Sequence, residues 1–214
     1  MPGNEQEEAY ERLVLATLTR ILDSQKFAET KNAALLTFNS AWVIGGSNLL
    51  FSEKVLPGWL PLALGLALPL LTLSAFGCLL SFMPVIELKK FLRRRRWLAR
   101  WMKPSKPHVP SMIYFGDIAA VDPAYFPKKM ERQYLPTDGR SMTDAYKLDL
   151  ANQVAINSFI AARKFRLFTQ AVWVTFIAMI LISLSIISAI SEVALDEMDA
   201  LRAEDTAAPE RYDI

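Results

Sequence analysis

The stretch Asp144–Ser191 constrains this chain most, because it contains no glycine and no proline and changes its solvent halfway along. Its first half is polar and basic, with Lys147, Asn152, Gln153, Asn157, Arg163, Lys164 and Arg166. Its second half, Leu167–Ile190, carries no charged side chain. About 20 apolar residues, rising about 1.5 Å each, span the hydrocarbon of a bilayer. The pattern predicts one continuous helix that starts wet and ends dry. Ser141 followed three residues later by Asp144 supplies a near capping box at its start.

The N-terminal part repeats this design. Residues 5–44 lack glycine and proline, and Val14, Leu18, Ile21 and Ala28 fall at helical spacing with Gln25 as one polar gap. This predicts an amphipathic cytosolic helix over 1–32, packed on a partner surface, that continues through Lys31 into a first membrane span over 33–52. Asn39 and Ser40 lie inside that span. Such polar groups act either as helix–helix glue or as gate residues. Gly45-Gly46 allows close packing or a bend. A second span is expected over 59–83, punctuated by Pro61, Gly65 and Pro69. The third span is 167–190. The expected fold class is an all-α integral membrane protein with three transmembrane helices, two of them long helices continuing into a small cytosolic helical and loop region.

Charge orients the chain. Lysines and arginines concentrate between residues 84 and 166, and cytoplasmic segments carry such an excess. The N-terminus and 84–166 are therefore expected in the cytoplasm, with 191–214 as an acidic external tail whose distal half is disordered. The acidic, polar first 30 residues lack the pattern of a signal peptide, so the first span is expected to be retained. Within 84–102, Lys89, Arg93, Arg96 and Arg100 form one face of an amphipathic interfacial helix. Directly after a membrane span, anionic lipid is a simpler partner for that face than a nucleic-acid polymer. Residues 103–140 are punctuated by proline. Within them the aromatic loop Ser111–Ala119 is either a hydrophobic plug or a pocket wall. Asp122-Pro123 opens a short helix near Ala124–Tyr134, and Asp138-Gly139 is a turn.

Much chemistry is excluded by residue supply. One histidine (His108) and one cysteine (Cys78) build neither a zinc site nor a catalytic triad, and no glycine-rich phosphate loop is present. The expectation is a chain that is not an enzyme, with no catalytic residue, metal or cofactor.

Three stretches, in order, resemble the transmembrane effector family of Pycsar antiphage systems: Phe27–Ala41 (FAETKNAALLTFNSA), Ile113–Ala119 (IYFGDIA) and Asp149–Phe168 (DLANQVAINSFIAARKFRLF). Asn32 stands where the family pattern more often has a small residue, and no recognisable cyclic-nucleotide cassette is present. The resemblance implies a bacterial inner-membrane protein that answers cyclic CMP or cyclic UMP, made by a partner cyclase during phage infection, by compromising the membrane in abortive infection. It is expected to act as a homo-oligomer. A cyclic phosphate needs cationic groups, and a pyrimidine needs an aromatic face with amide or hydroxyl partners. Lys31, Tyr114, Phe115, Asp117, Asn157, Arg163 and Lys164 are the candidates. For Lys31, Arg163 and Lys164, snorkelling at a helix entry is the competing role. The alternative function is a non-enzymatic membrane scaffold that recruits a cytosolic partner through Val14, Leu18 and Ile21.

Overall fold

The structure is a computed structural model that describes residues 2–53, 56–83, 111–123, 125–134 and 145–207, without the side chains of 2–4 and 204–207. The basic stripe Lys89, Arg93, Arg96 and Arg100, His108, the 138–139 turn, the Ser141–Asp144 cap and the end of the tail lie outside the described residues. Among the described residues the chain is helical, with no strand: α1 (Pro2–Leu50), α2 (Leu60–Phe82), α3 (Phe115–Ile118), α4 (Phe126–Tyr134) and α5 (Ala145–Ala207).

Two helices, Leu60–Phe82 and Ala145–Ala203, are long and apolar enough to cross a membrane. The span expected over 33–52 lies in α1 as far as Leu50 and is less apolar than these two. Asn39, Asn48 and the Gly45-Gly46 pair dilute its hydropathy. α5 also outruns its expected end. The reading of 191–214 as a tail with a disordered distal half is corrected as far as Ala207, to which the helix continues. Residues 191–207 contain no glycine or proline, and four Ala, three Glu and two Leu among them are good helix formers. The next proline is Pro209.

Packing divides the chain into two compact units. The first comprises 1–34 and 78–169, the second 35–77 and 170–214. α1, α2 and α5 each contribute residues to both.

In the first unit, Tyr10, Val14 and Ile21 of α1 pack with Leu150, Val154 and Ala161 of α5, and with Met112, Ile118, Phe126 and Met130 from the intervening segment. Val14 and Ile21, expected to present a stripe to a partner, are each 1% exposed in this core. The polar gap in that stripe is filled chemically: Gln25 Nε2 donates to the Asn157 carbonyl at 2.9 Å and to its Oδ1 at 3.0 Å. The short helix expected near Ala124–Tyr134 is α4, described from Phe126. The Asp122 carbonyl accepts from the Tyr125 and Phe126 amides at 2.9 and 3.1 Å, and Pro127 sits in the first turn, where no amide donor is needed.

In the second unit, Leu64, Ala67 and Leu71 of α2 pack on Ala178 and Ile182 of α5, with Trp42 and Val43 of α1 alongside. Gly46 allows α1 to approach closely, since a Cβ there would stand 2.9 Å from Leu68 Cδ2. Gly58 turns the chain between α1 and α2 at a φ of 53°, a left-handed conformation that glycine adopts without cost.

Candidate functional site

The first unit holds a cavity of about 350 Å³, wide open to solvent, lined by Arg20, Ile21 and Ser24 of α1 and by Ser111, Ile113, Tyr114 and Phe115 of the loop that enters α3. It is built from the sequence upward. Ile21 anchors the α1 stripe in the core, which leaves its neighbours Arg20 and Ser24 at the edge of that stripe. The loop turns tightly. The Asp117 and Ile118 amides both donate to the Tyr114 carbonyl at 3.1 Å, and the Ser111 amide donates to Asp117 Oδ2 at 2.9 Å. Gly116 leaves room for the Tyr114 ring where it lies, since a Cβ would fall 2.5 Å from Cε1 of Tyr114. Asp117, a sequence candidate, therefore braces the loop that carries Tyr114 and Phe115.

Tyr114 and Phe115 are the sequence candidates that line the cavity. Their rings lie 4.8 Å apart, and Phe115 stacks on Phe165 of α5 at 5.3 Å and 22°. Phe165 in turn meets Phe27 at 6.4 Å. Lys31 caps this row, its ammonium 4.3 Å from the Phe27 ring centre and 5.6 Å from that of Phe168. Such placements over aromatic faces contribute about 0.5–2 kcal/mol. Lys164 is ion-paired with Glu29. Arg163 donates to the Leu80 carbonyl at 3.3 Å. Asn157 holds Gln25. None of these four lines the cavity wall: Lys31, Lys164 and Asn157 join α1 to α5, and Arg163 joins α5 to α2.

Sequence reasoning missed Arg20, Ser24 and Ser111. The available signal was position: Arg20 and Ser24 lie four apart on α1 and flank Ile21, so any pocket beside the apolar stripe would meet them. Ser24 Oγ donates to the Arg20 carbonyl at 2.9 Å, and Ser111 Oγ accepts from the Ile113 amide at 3.2 Å, so each hydroxyl oxygen keeps acceptor capacity. Asn32, noted only as a departure from the family pattern, is fully buried. It donates to the Ala28 carbonyl at 2.8 Å and to Ser81 Oγ at 3.1 Å.

The second unit contains a polar cluster in an otherwise apolar interior. Asn39 Nδ2 donates to Ser74 Oγ at 2.9 Å, and Thr175 Oγ1 donates to Asn39 Oδ1 at 3.0 Å. Ser74 Oγ lies 2.8 Å from both Thr175 Oγ1 and the Ala171 carbonyl. α1, α2 and α5 each supply one member. Ser40, the neighbouring sequence candidate, is exposed and stands apart from the cluster.

Comparison with known proteins agrees with the order of motifs. Residues 13–190 match the Pycsar effector protein domain. The curated Pycsar effector protein RsPycTM, from a Rhizobium species, is 40% identical over 156 residues, which cover 73% of this chain and 82% of that protein. No solved structure matches. The chain, helical among its described residues with two membrane-crossing candidates there and matched to this domain over most of its length, belongs to the Pycsar effector family and is an antiphage defence effector with a transmembrane portion.

Proposed function

We propose that this effector senses a cyclic pyrimidine mononucleotide, cCMP or cUMP made by a partner cyclase, and answers by impairing the integrity of the bacterial inner membrane, without enzymatic chemistry. The observation that carries this is the 350 Å³ cavity. Its size falls in the range of small-ligand sites, about 300–1,000 Å³. Its lining supplies what such a ligand requires: the Arg20 guanidinium for the phosphate, the Tyr114 and Phe115 rings for the base, and the Ser24 and Ser111 hydroxyls for polar edges. Lys31, Asn157 and Lys164 hold α1 against α5, Arg163 ties α5 to α2, and Asp117 shapes the loop.

The reading includes three spans. Asn39, which lowers the hydropathy of α1, is 0% exposed, whereas Phe38, Ile44 and Leu49 on the outward face are exposed and suit lipid. The charge bias puts the N-terminus and 84–166 in the cytoplasm, with Lys89, Arg93, Arg96 and Arg100 on anionic headgroups. The Asn39–Ser74–Thr175 cluster is the polar latch that ligand binding would loosen. Shifting a population from 1:99 to 99:1 takes about 5.5 kcal/mol of differential binding, which several subunits of a homo-oligomer can share.

Calorimetry on the full chain in lipid nanodiscs, paired with dye release from liposomes, tests this. Pyrimidine cyclic nucleotides are expected to bind and to trigger release, and Arg20→Gln to weaken binding about tenfold or more, the loss of one charge-assisted contact. Absence of binding by both nucleotides would sink the sensing role. The scaffold alternative has less to present to a partner, since Val14 and Ile21 are buried in the first unit's own core and Leu18 packs against it, partly buried.

A further inference from the structure

α5 carries apolar residues on two opposite faces. One face, with Thr175, Ala178 and Ile182, is buried inside the second unit. Two residues further along, about 200° round the helix, runs a second stripe at alternating steps of four and three. Within the apolar run it comprises Trp173, Ile177, Ile180, Leu184 and Ile187, all exposed. Lipid is enough to explain that part. Beyond Ile190, however, residues 191–203 are exposed on every side and the chain turns acidic, yet the stripe continues without a break of register through Ser191, Ala194, Met198 and Leu201. Met198 and Leu201 are 55% and 62% exposed.

A lipid surface is a poor cover for this extension, because the helix turns acidic there, with Glu192, Asp196, Glu197 and Asp199 against Arg202, and its net negative charge repels anionic headgroups. The repeat fits another helix of its own kind. With Leu184, Ser191 and Met198 at a positions and Ile187, Ala194 and Leu201 at d positions, the spacing is that of a coiled-coil seam. Glu197 then falls at g and Arg202 at the following e, the placement that bridges parallel neighbours. Copies of one chain insert in the same direction, so parallel pairing is what the membrane imposes.

We infer that α5 pairs with α5 of a second copy along Leu184–Leu201, a parallel coiled coil that begins in the apolar run and ends in water. The match to the Pycsar effector domain stops at residue 190, so the wet half of this seam lies beyond what that match covers. The seam does not depend on nucleotide sensing.

Disulfide cross-linking of the full chain in membranes tests it, with single cysteines introduced in a Cys78→Ser background. Ala194→Cys, Met198→Cys and Leu201→Cys are expected to give several-fold more cross-linked dimer than Asp196→Cys and Ala203→Cys. A flat profile, or one peaking at 196 and 203, overturns the seam. Should the cysteine variants fail to insert, the native mass of the complex in detergent decides. Glu197→Arg or Arg202→Glu alone lowers it and the two together restore it if the seam exists. A wild-type mass of one chain overturns the inference.

Discussion

Tyr10 puts a hydroxyl into the first unit's core, 2% exposed, and its oxygen finds no hydrogen-bond partner among the described residues. Burial, with Glu131 nearby, pushes its pKa from 10.0 up to about 12. The shift is upward, so the folded state is fully stable below pH 10 and weakens as pH rises from 10 through 12, where the unfolded chain ionises first. A shift of that size is worth about 2–3 kcal/mol. Tyr10→Phe is expected to remove this alkaline loss, and to be neutral or mildly stabilising at pH 8, when melting is followed by circular dichroism at both pH values. Asn39 is the opposite case, a buried amide with both ends satisfied. Asn39→Ala leaves Ser74 and Thr175 bonded to each other, so unfolding in detergent should show a loss of only about 1–2 kcal/mol. If Asn39 is part of the latch, that variant also leaks dye without ligand.

At the scale of elements, neighbouring glycines in α1 separate by environment. A Cβ on Gly45 meets nothing within 4 Å, while one on Gly46 meets Leu68. Gly45→Ala should be neutral or slightly favourable, from helix propensity. Gly46→Ile should cost about 1–3 kcal/mol through overpacking against α2, read from thermal unfolding in detergent. In the first unit, Gly116→Ala would push the Tyr114 ring aside. It should weaken cyclic-nucleotide binding while leaving the melting temperature nearly unchanged, because Tyr114 is largely exposed and contributes little to the core. The core of that unit rests on residues such as Phe126 and Met130, both fully buried.

For the whole molecule, α1 and α5 each run unbroken through residues of both units. Arg163 and Lys164 sit on α5 just before its apolar run, one bonded to the Leu80 carbonyl and the other to Glu29. Replacing both with Gln is expected to abolish messenger-dependent toxicity in cells while membrane insertion, measured by fractionation, is retained. Wild-type toxicity would leave these cations an anchoring role alone.

The long helices were legible from Gly- and Pro-free runs, because helix formation depends on local backbone freedom and on a periodic apolar face. The stripe Val14, Ile21 and Ala28 reads directly as a buried face, and the order of motifs identified the family. Reach across space was not legible. No local rule says that Gln25 bonds Asn157, that Lys164 pairs with Glu29, or that Asn39 finds Ser74 and Thr175. The cavity also belongs to the tertiary structure alone: Arg20 and Ser24 share it with Ser111 and Tyr114, about ninety residues away in sequence, only because α1 and the α3 loop pack on one core. Amino-acid order determined which segments are helices and which solvent each suits. Packing decided which polar groups are satisfied in the interior and which remain at the edge of a pocket, since that depends on distances between segments that local order does not encode.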